Sequence, residues 1–222
     1  ISKTSSILLS WWFKDFNNLK NNTEENESFN YYFAQREAVE TVIYLNEYIE
    51  VLDKNDLLRF DSLGVITPKL IEETWRRYVI KMATGSGKTK VLSLLLAWSY
   101  FHKKYEEKSE LSKNFLIIAP NIIVLDRLKS DFQGLKIFND DPILPEDGFE
   151  GRNWKNDFQL TVHLQDNVNV LNPSGNIFLT NIHRIYEEKD NNLSDDDYSL
   201  DYFIGKKPKS DINSSGTDLG KI

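Results

Sequence analysis

Apolar residues along this chain recur at two different spacings, and each spacing predicts its own kind of element. Ala38, Val42, Leu45 and Ile49 return at steps of three and four, with Val39, Ile43 and Tyr44 widening the stripe. That pattern predicts an amphipathic helix within residues 31–60, broken by the polar run from Asp53 to Asp56. From Lys88 to about Lys104, Val91, Leu95 and Trp98 share one face, with Leu92, Leu96 and Tyr100 beside it, which predicts a buried helix. Leu125, Leu128 and Phe132 predict another over Ile122–Phe132. Short β-favouring runs at Tyr78–Met82, Phe115–Ala119, Phe158–Val162 and Ile177–Thr180 predict strands. Phe115–Ala119 is of the kind found in a strand covered on both faces. Ile7–Phe13 predicts a buried strand or the start of a helix.

Between these elements the chain turns polar. Asn17–Ser28 has no packing face and predicts a solvated loop. Gly64 and Pro68 mark a turn, with Pro68 opening a short helix through residues 69–77. Residues 134–157 are expected to be irregular, and the acidic, Asn- and Ser-rich chain from Glu187 onward to be loop or disorder. No internal repeat is present. The order strand, loop, helix, strand, helix, strand predicts βαβ units and an α/β fold with a parallel sheet. The expected organisation is an N-terminal, mainly helical extension over residues 1–60 and an α/β domain over 61–222.

Composition narrows the classes. Thirteen Phe, ten Tyr and five Trp supply enough apolar area to argue against wholesale disorder. A formal net charge of −7 counts against a module whose whole surface grips nucleic acid, and leaves room for a local basic groove. With no Cys there is no disulfide or thiolate metal site, and three scattered His argue against a structural zinc site. No apolar run approaches the roughly 20 residues that span a bilayer, so no membrane partner is expected and the cytoplasm is the expected compartment.

The strongest chemical signal is Met82–Thr89, M-A-T-G-S-G-K-T. A triphosphate sheds much of its hydration on binding, so its site must replace water with oriented donors. Gly85 and Gly87, with Thr84 and Ser86, let the backbone curl until successive N–H groups face one anion. The helix that follows adds the positive end of its dipole. Lys88 places an ammonium on the β- and γ-phosphates, and Thr89 offers a hydroxyl to Mg²⁺. These two are the candidate catalytic residues, with ATP and Mg²⁺ the expected cofactors. The general pattern has Gly where this chain has Met82. A chance Gly/Ser turn would not place strand, two Gly, Lys, Thr and helix in this order.

The form A-T-G-S-G-K-T, with its non-Gly start, resembles motif I of superfamily 2 helicases. Tyr32–Val39, Y-F-A-Q-R-E-A-V, is similar to the glutamine-containing adenine-recognition motif that precedes it. There the Gln35 amide would donate to and accept from an adenine edge, with Phe33 stacking nearby. Ile117–Asn121 resembles motif Ia, and Thr180–Arg184 a later Thr-containing motif at a strand end. In the family both touch the nucleic-acid backbone, which implies Pro120, Asn121, Thr180 and Asn181 as contacts. Taken alone, each of these has a plain reading: an exposed Gln on an amphipathic helix, or an ordinary strand-to-loop transition. Together, over roughly residues 31–186, they are most similar to the DNA-translocating, ATP-dependent subunits of type III (and type I) restriction endonucleases.

The resemblance implies a partial first RecA-like domain and an ATP-dependent helicase or translocase activity. It also implies double-stranded DNA, a modification (methyltransferase) subunit and a second RecA-like domain as partners. Such a motor needs a strand ending in Asp-Glu, and no apolar run here is followed by that pair. Asp195–Asp197 lie in a polar stretch, Asp201 precedes its apolar residues, and no Asp…Glu-x-Lys nuclease constellation follows a strand. The expectation is an N-terminal portion of a longer protein, stopping before the Asp-Glu motif, that binds nucleotide weakly and hydrolyses little by itself. A different phosphate-loop enzyme, such as a small-molecule kinase, leaves Gln35 and Thr180–Arg184 unexplained. A non-enzymatic interaction domain is at odds with intact Lys88 and Thr89.

Overall fold

The computed structural model describes residues 1–15, 30–50, 76, 78–165 and 170–184. The expected loop at Asn17–Ser28, turn at Gly64, helix over 69–77, domain boundary at 60/61 and acidic tail lie largely or wholly outside them. In chain order the helices and strands are α1 (Lys3–Ser10), α2 (Phe33–Glu47), α3 (Lys88–Tyr105), β1 (Asn114–Ala119), α4 (Ile122–Phe132), α5 (Lys136–Asp140), α6 (Trp154–Asp157), β2 (Thr161–Leu164) and β3 (Asn176–Asn181). They fall into two compact units.

The first unit comprises residues 1–111 and 141–158. Ser2 starts α1, its hydroxyl accepting from Ser5 N–H at 3.1 Å. The helix runs on through a wider turn at Trp11–Asp15, so Ile7–Phe13 is helical. Trp11 and Trp12 are buried and donate their indole N–H groups to Pro142 O (3.1 Å) and Ile143 O (2.8 Å). Both α1 and α2 pack on α3. That helix buries Val91, Leu94, Leu96, Ala97, Trp98, Tyr100 and Phe101, a wider face than the two stripes read from the sequence. Residues 141–157, within the stretch expected to be irregular, pack into this unit through Trp154. Its ring is fully buried, 4.9 Å from that of Phe101 and 5.5 Å from that of Tyr105.

One carboxylate pins three helices of this unit. Glu47, at the end of α2, accepts from Ser2 N–H at 2.6 Å, from the Ser5 hydroxyl, and from the Trp98 indole at 3.3 Å, and it pairs with His102 at 3.2 Å. Burial by itself would raise this carboxyl. The hydrogen bonds from His102, Ser5 and Ser2, with the charge of His102, outweigh burial and hold it down to about 2, against an ordinary 4.5. The folded chain therefore binds this proton more weakly than the unfolded chain. The stability it contributes is fully present above about pH 4.5 and is lost as pH falls towards about 2. Glu47→Gln is expected to flatten the acid limb of a melting-temperature profile across that window and to melt lower at pH 7. A profile parallel to the parent's would contradict this account.

The second unit comprises residues 112–140 and 159–222. Its described strands form a parallel sheet in the order β1-β3-β2. Leu125, Leu128 and Phe132 of α4 are buried, and α4 packs on β1 and β3. The strand covered most completely is the central β3, where Ile177 and Leu179 are buried. Phe115–Ala119 lies in β1, an edge of the described sheet, and its Leu116 is 43% exposed. Asn176 stitches the three strands, its Oδ1 accepting from His163 Nε2 (2.8 Å) and its Nδ2 donating to Asn114 Oδ1 (2.9 Å).

The expected strand at Tyr78–Met82 is not formed. These residues, in the first unit, are irregular and enter no ladder among the described residues, and Val79 is 95% exposed. β-propensity reports how well a side chain suits a half-buried pleated surface, and without a paired neighbour the same residues remain single chain. The outcome is an α/β fold with a parallel sheet and helices at its N-terminus.

Candidate nucleotide site and strand-end surface

The M-A-T-G-S-G-K-T segment forms a tight loop leading into α3. Gly85 and Gly87 sit at φ +81° and +82°, the left-handed region that glycine adopts without a Cβ penalty. Ser86 closes the turn, its N–H and hydroxyl both donating to Ala83 O, at 3.3 and 2.7 Å. Gly87 caps α3, and the first bond of that helix runs from Val91 N–H to Gly87 O at 3.2 Å. The Lys88 and Thr89 N–H groups are thus left at the open start of an 18-residue helix with no acidic residue in its first turn. Lys88 folds back, its ammonium donating to Ala83 O (2.9 Å) and Met82 O (3.3 Å).

These groups fit a magnesium-bound triphosphate. A Cβ on Gly85 would meet nothing within 4 Å, so the loop is open there. Among the described residues no cluster of three or more His, Asp or Glu could cage a metal. A Mg²⁺ ion would take phosphate oxygens, water and the Thr89 hydroxyl, a ligand set that suits it. Neighbouring Lys90 is already paired with Asp141 at 2.9 Å.

Gln35 is 2% exposed in the first turn of α2. Its Oε1 accepts from Tyr32 N–H at 2.9 Å, and its Nε2 donates to Ser86 O at 3.0 Å. The first bond has a local signal, since a Gln at the third helical position commonly reaches back to the cap. The second has none, because it links residues 51 apart. Phe33 and Tyr32 are 76% and 69% exposed. A cavity of about 620 Å³ borders the loop, lined among others by Ala34, Ala38, Thr41, Tyr78, Met82 and Ser86, but not by Gln35.

In the second unit, parallel register pairs Ile118 with Thr180 and Ala119 with Asn181. Two segments far apart in sequence, Ile117–Asn121 and Thr180–Arg184, therefore lie side by side where the strands end. Pro120 and Asn121 are exposed, Thr180 is half-buried and Asn181 is buried. The Asn121 side chain caps α4 by accepting from Val124 N–H at 2.9 Å. Asn181 Oδ1 accepts from His183 N–H at 2.9 Å, and its own N–H donates to Gln165 Oε1 at 3.0 Å. Both side chains thus shape the surface. Exposed Ile122, Ile123 and His183 flank it and were not among the candidates read from sequence.

The family described as the type III restriction enzyme res subunit matches residues 28–205, well over half of the chain. The chain belongs to this family. No curated protein and no solved structure matches it. The match takes in Phe33 and Gln35, the phosphate loop and both strand-end segments. Membership makes this a chain of a helicase-like, ATP-dependent enzyme family, and makes its α/β fold a partial RecA-like domain. Among the described residues no helix is long and apolar enough to cross a membrane.

Proposed function

We propose that this chain is the ATP-binding part of a DNA-translocating res subunit, acting with a modification (methyltransferase) subunit and a second RecA-like domain. The observation that carries the reading is the loop itself: two left-handed glycines, an uncapped helix start and Lys88, within the family match. The triphosphate lies on the N–H groups of residues 84–89, with Lys88 on its outer phosphates and Thr89 on Mg²⁺. Phe33 offers a ring face to the base, with Gln35 beside the loop. Duplex DNA runs its backbone past Pro120, Asn121, Thr180 and Asn181, where the ends of β1 and β3 lie side by side.

The sequence contains no Asp-Glu pair at all, so nothing in these residues matches the group that orients an attacking water in this family. The 222-residue chain alone is expected to bind MgATP and to release phosphate no faster than the Lys88→Ala variant. The test combines equilibrium binding of a fluorescent ATP analogue, a phosphate-release assay, and duplex DNA binding across salt concentrations. DNA affinity should fall with rising salt as phosphate contacts are lost. Substantial Lys88-dependent turnover, or DNA binding indifferent to salt, would count against the reading.

A further inference from the structure

We infer that Gln35 is a positioning residue that holds the phosphate loop in shape, and that this site selects the triphosphate without reading the adenine edge. The inference rests on the nucleotide-binding reading above and assigns Gln35 its part in it. Both ends of the amide are already bonded inside the protein, to Tyr32 N–H and Ser86 O, and the side chain is 2% exposed. One lone pair on Oε1 and one N–H on Nε2 are left over, and at 2% exposure neither is open to a base edge in this arrangement.

The bond to Ser86 O has a direct consequence for phosphate binding. In a trans peptide the C=O and the following N–H point in opposite directions. Drawing Ser86 O towards Gln35 therefore aims the Gly87 N–H away from it. Gly87 is one of the two left-handed glycines at the helix start. Gln35 Nε2 also occupies the space of the missing side chain, since a Cβ on Gly87 would lie 2.1 Å from it. Loop and glutamine are thus built against each other. What remains for the base is the exposed faces of Phe33 and Tyr32, and aromatic faces stack on any base.

The experiment measures the affinity of the parent chain, Gln35→Ala, Gln35→Glu and Lys88→Ala for MgATP, MgGTP and inorganic tripolyphosphate, with circular dichroism and thermal melts of each. The parent is expected to bind ATP and GTP within about threefold of each other, because stacking tolerates either purine. Gln35→Ala should weaken all three ligands by one common factor, about five- to tenfold, the worth of one hydrogen bond. Gln35→Glu can still accept from Tyr32 N–H but cannot donate to Ser86 O as a carboxylate. It should lose at least as much, because its carboxylate also faces Ser86 O and the bound phosphates, and it should keep α2 intact, which separates the loop bond from the helix cap.

Loss of ATP affinity alone in Gln35→Ala, with GTP and tripolyphosphate unchanged, would overturn the inference in favour of base reading. So would affinities that no Gln35 variant alters. A parent chain that binds none of the three, or binds them equally well as Lys88→Ala, overturns the nucleotide reading and this inference with it.

Discussion

Lys88→Ala is expected to weaken MgATP binding by about tenfold to hundredfold, roughly 1.5–3 kcal/mol for hydrogen bonds from a charged donor. In the present structure the ammonium donates to Ala83 O and Met82 O across an exposed part of the loop. Water replaces it there, so the variant should fold within about 0.5 kcal/mol of the parent. The loss in binding then belongs to the phosphates and not to the fold. Equilibrium titration with an ATP analogue, beside a urea melt of both proteins, separates the two. A variant that binds within twofold of the parent would mean that the loop holds no triphosphate.

Trp154→Ala should produce the largest loss of stability, about 3–5 kcal/mol. That is a large share of the 5–15 kcal/mol that holds a typical domain together. The ring is fully enclosed, with Phe101 edge-on at 4.9 Å, Tyr105 at 5.5 Å and the Arg152 guanidinium 5.3 Å above it. Its indole N–H donates to Phe149 O at 2.8 Å. Truncation leaves a cavity and removes one of that carbonyl's two donors, the other being Arg152 N–H at 3.2 Å. Trp154→Phe keeps much of the apolar fill and loses the hydrogen bond, so its cost should be smaller. Urea unfolding measures both, and a Trp154→Ala cost below about 1 kcal/mol would show that this segment is not part of the cooperative core.

Trp154 also shows where sequence reading stops. It sits between Asn153 and Lys155 in a run of Gly, Pro and acidic residues with no period. Periodicity detects a face only when an element is long enough to repeat, and α6 has four residues. The longer α2, α3 and α4 were legible for the opposite reason. Even there, Leu95 belongs to the expected stripe of α3 and is only half-buried, while Leu94 is buried. Which side of an all-round apolar helix faces its neighbours depends on where those neighbours are.

By itself the sequence determined the long helices α2, α3 and α4, the parallel strands at Phe115–Ala119 and Ile177–Thr180 and the restriction-subunit family, and it pointed to the loop as the candidate nucleotide site. Each of these depends on residues within a few positions of one another: a glycine's φ, a helix start, an alternating or 3.6-residue stripe. The tertiary structure alone decided that Gln35 bonds the loop, that Glu47 ties three helices together, and that Ala119 and Asn181 end side by side. It also decided that Tyr78–Met82, apolar enough for a strand, has no ladder to join among the described residues. Those outcomes depend on partners tens of residues away, and nothing in the local spacing of side chains specifies which distant group will be there.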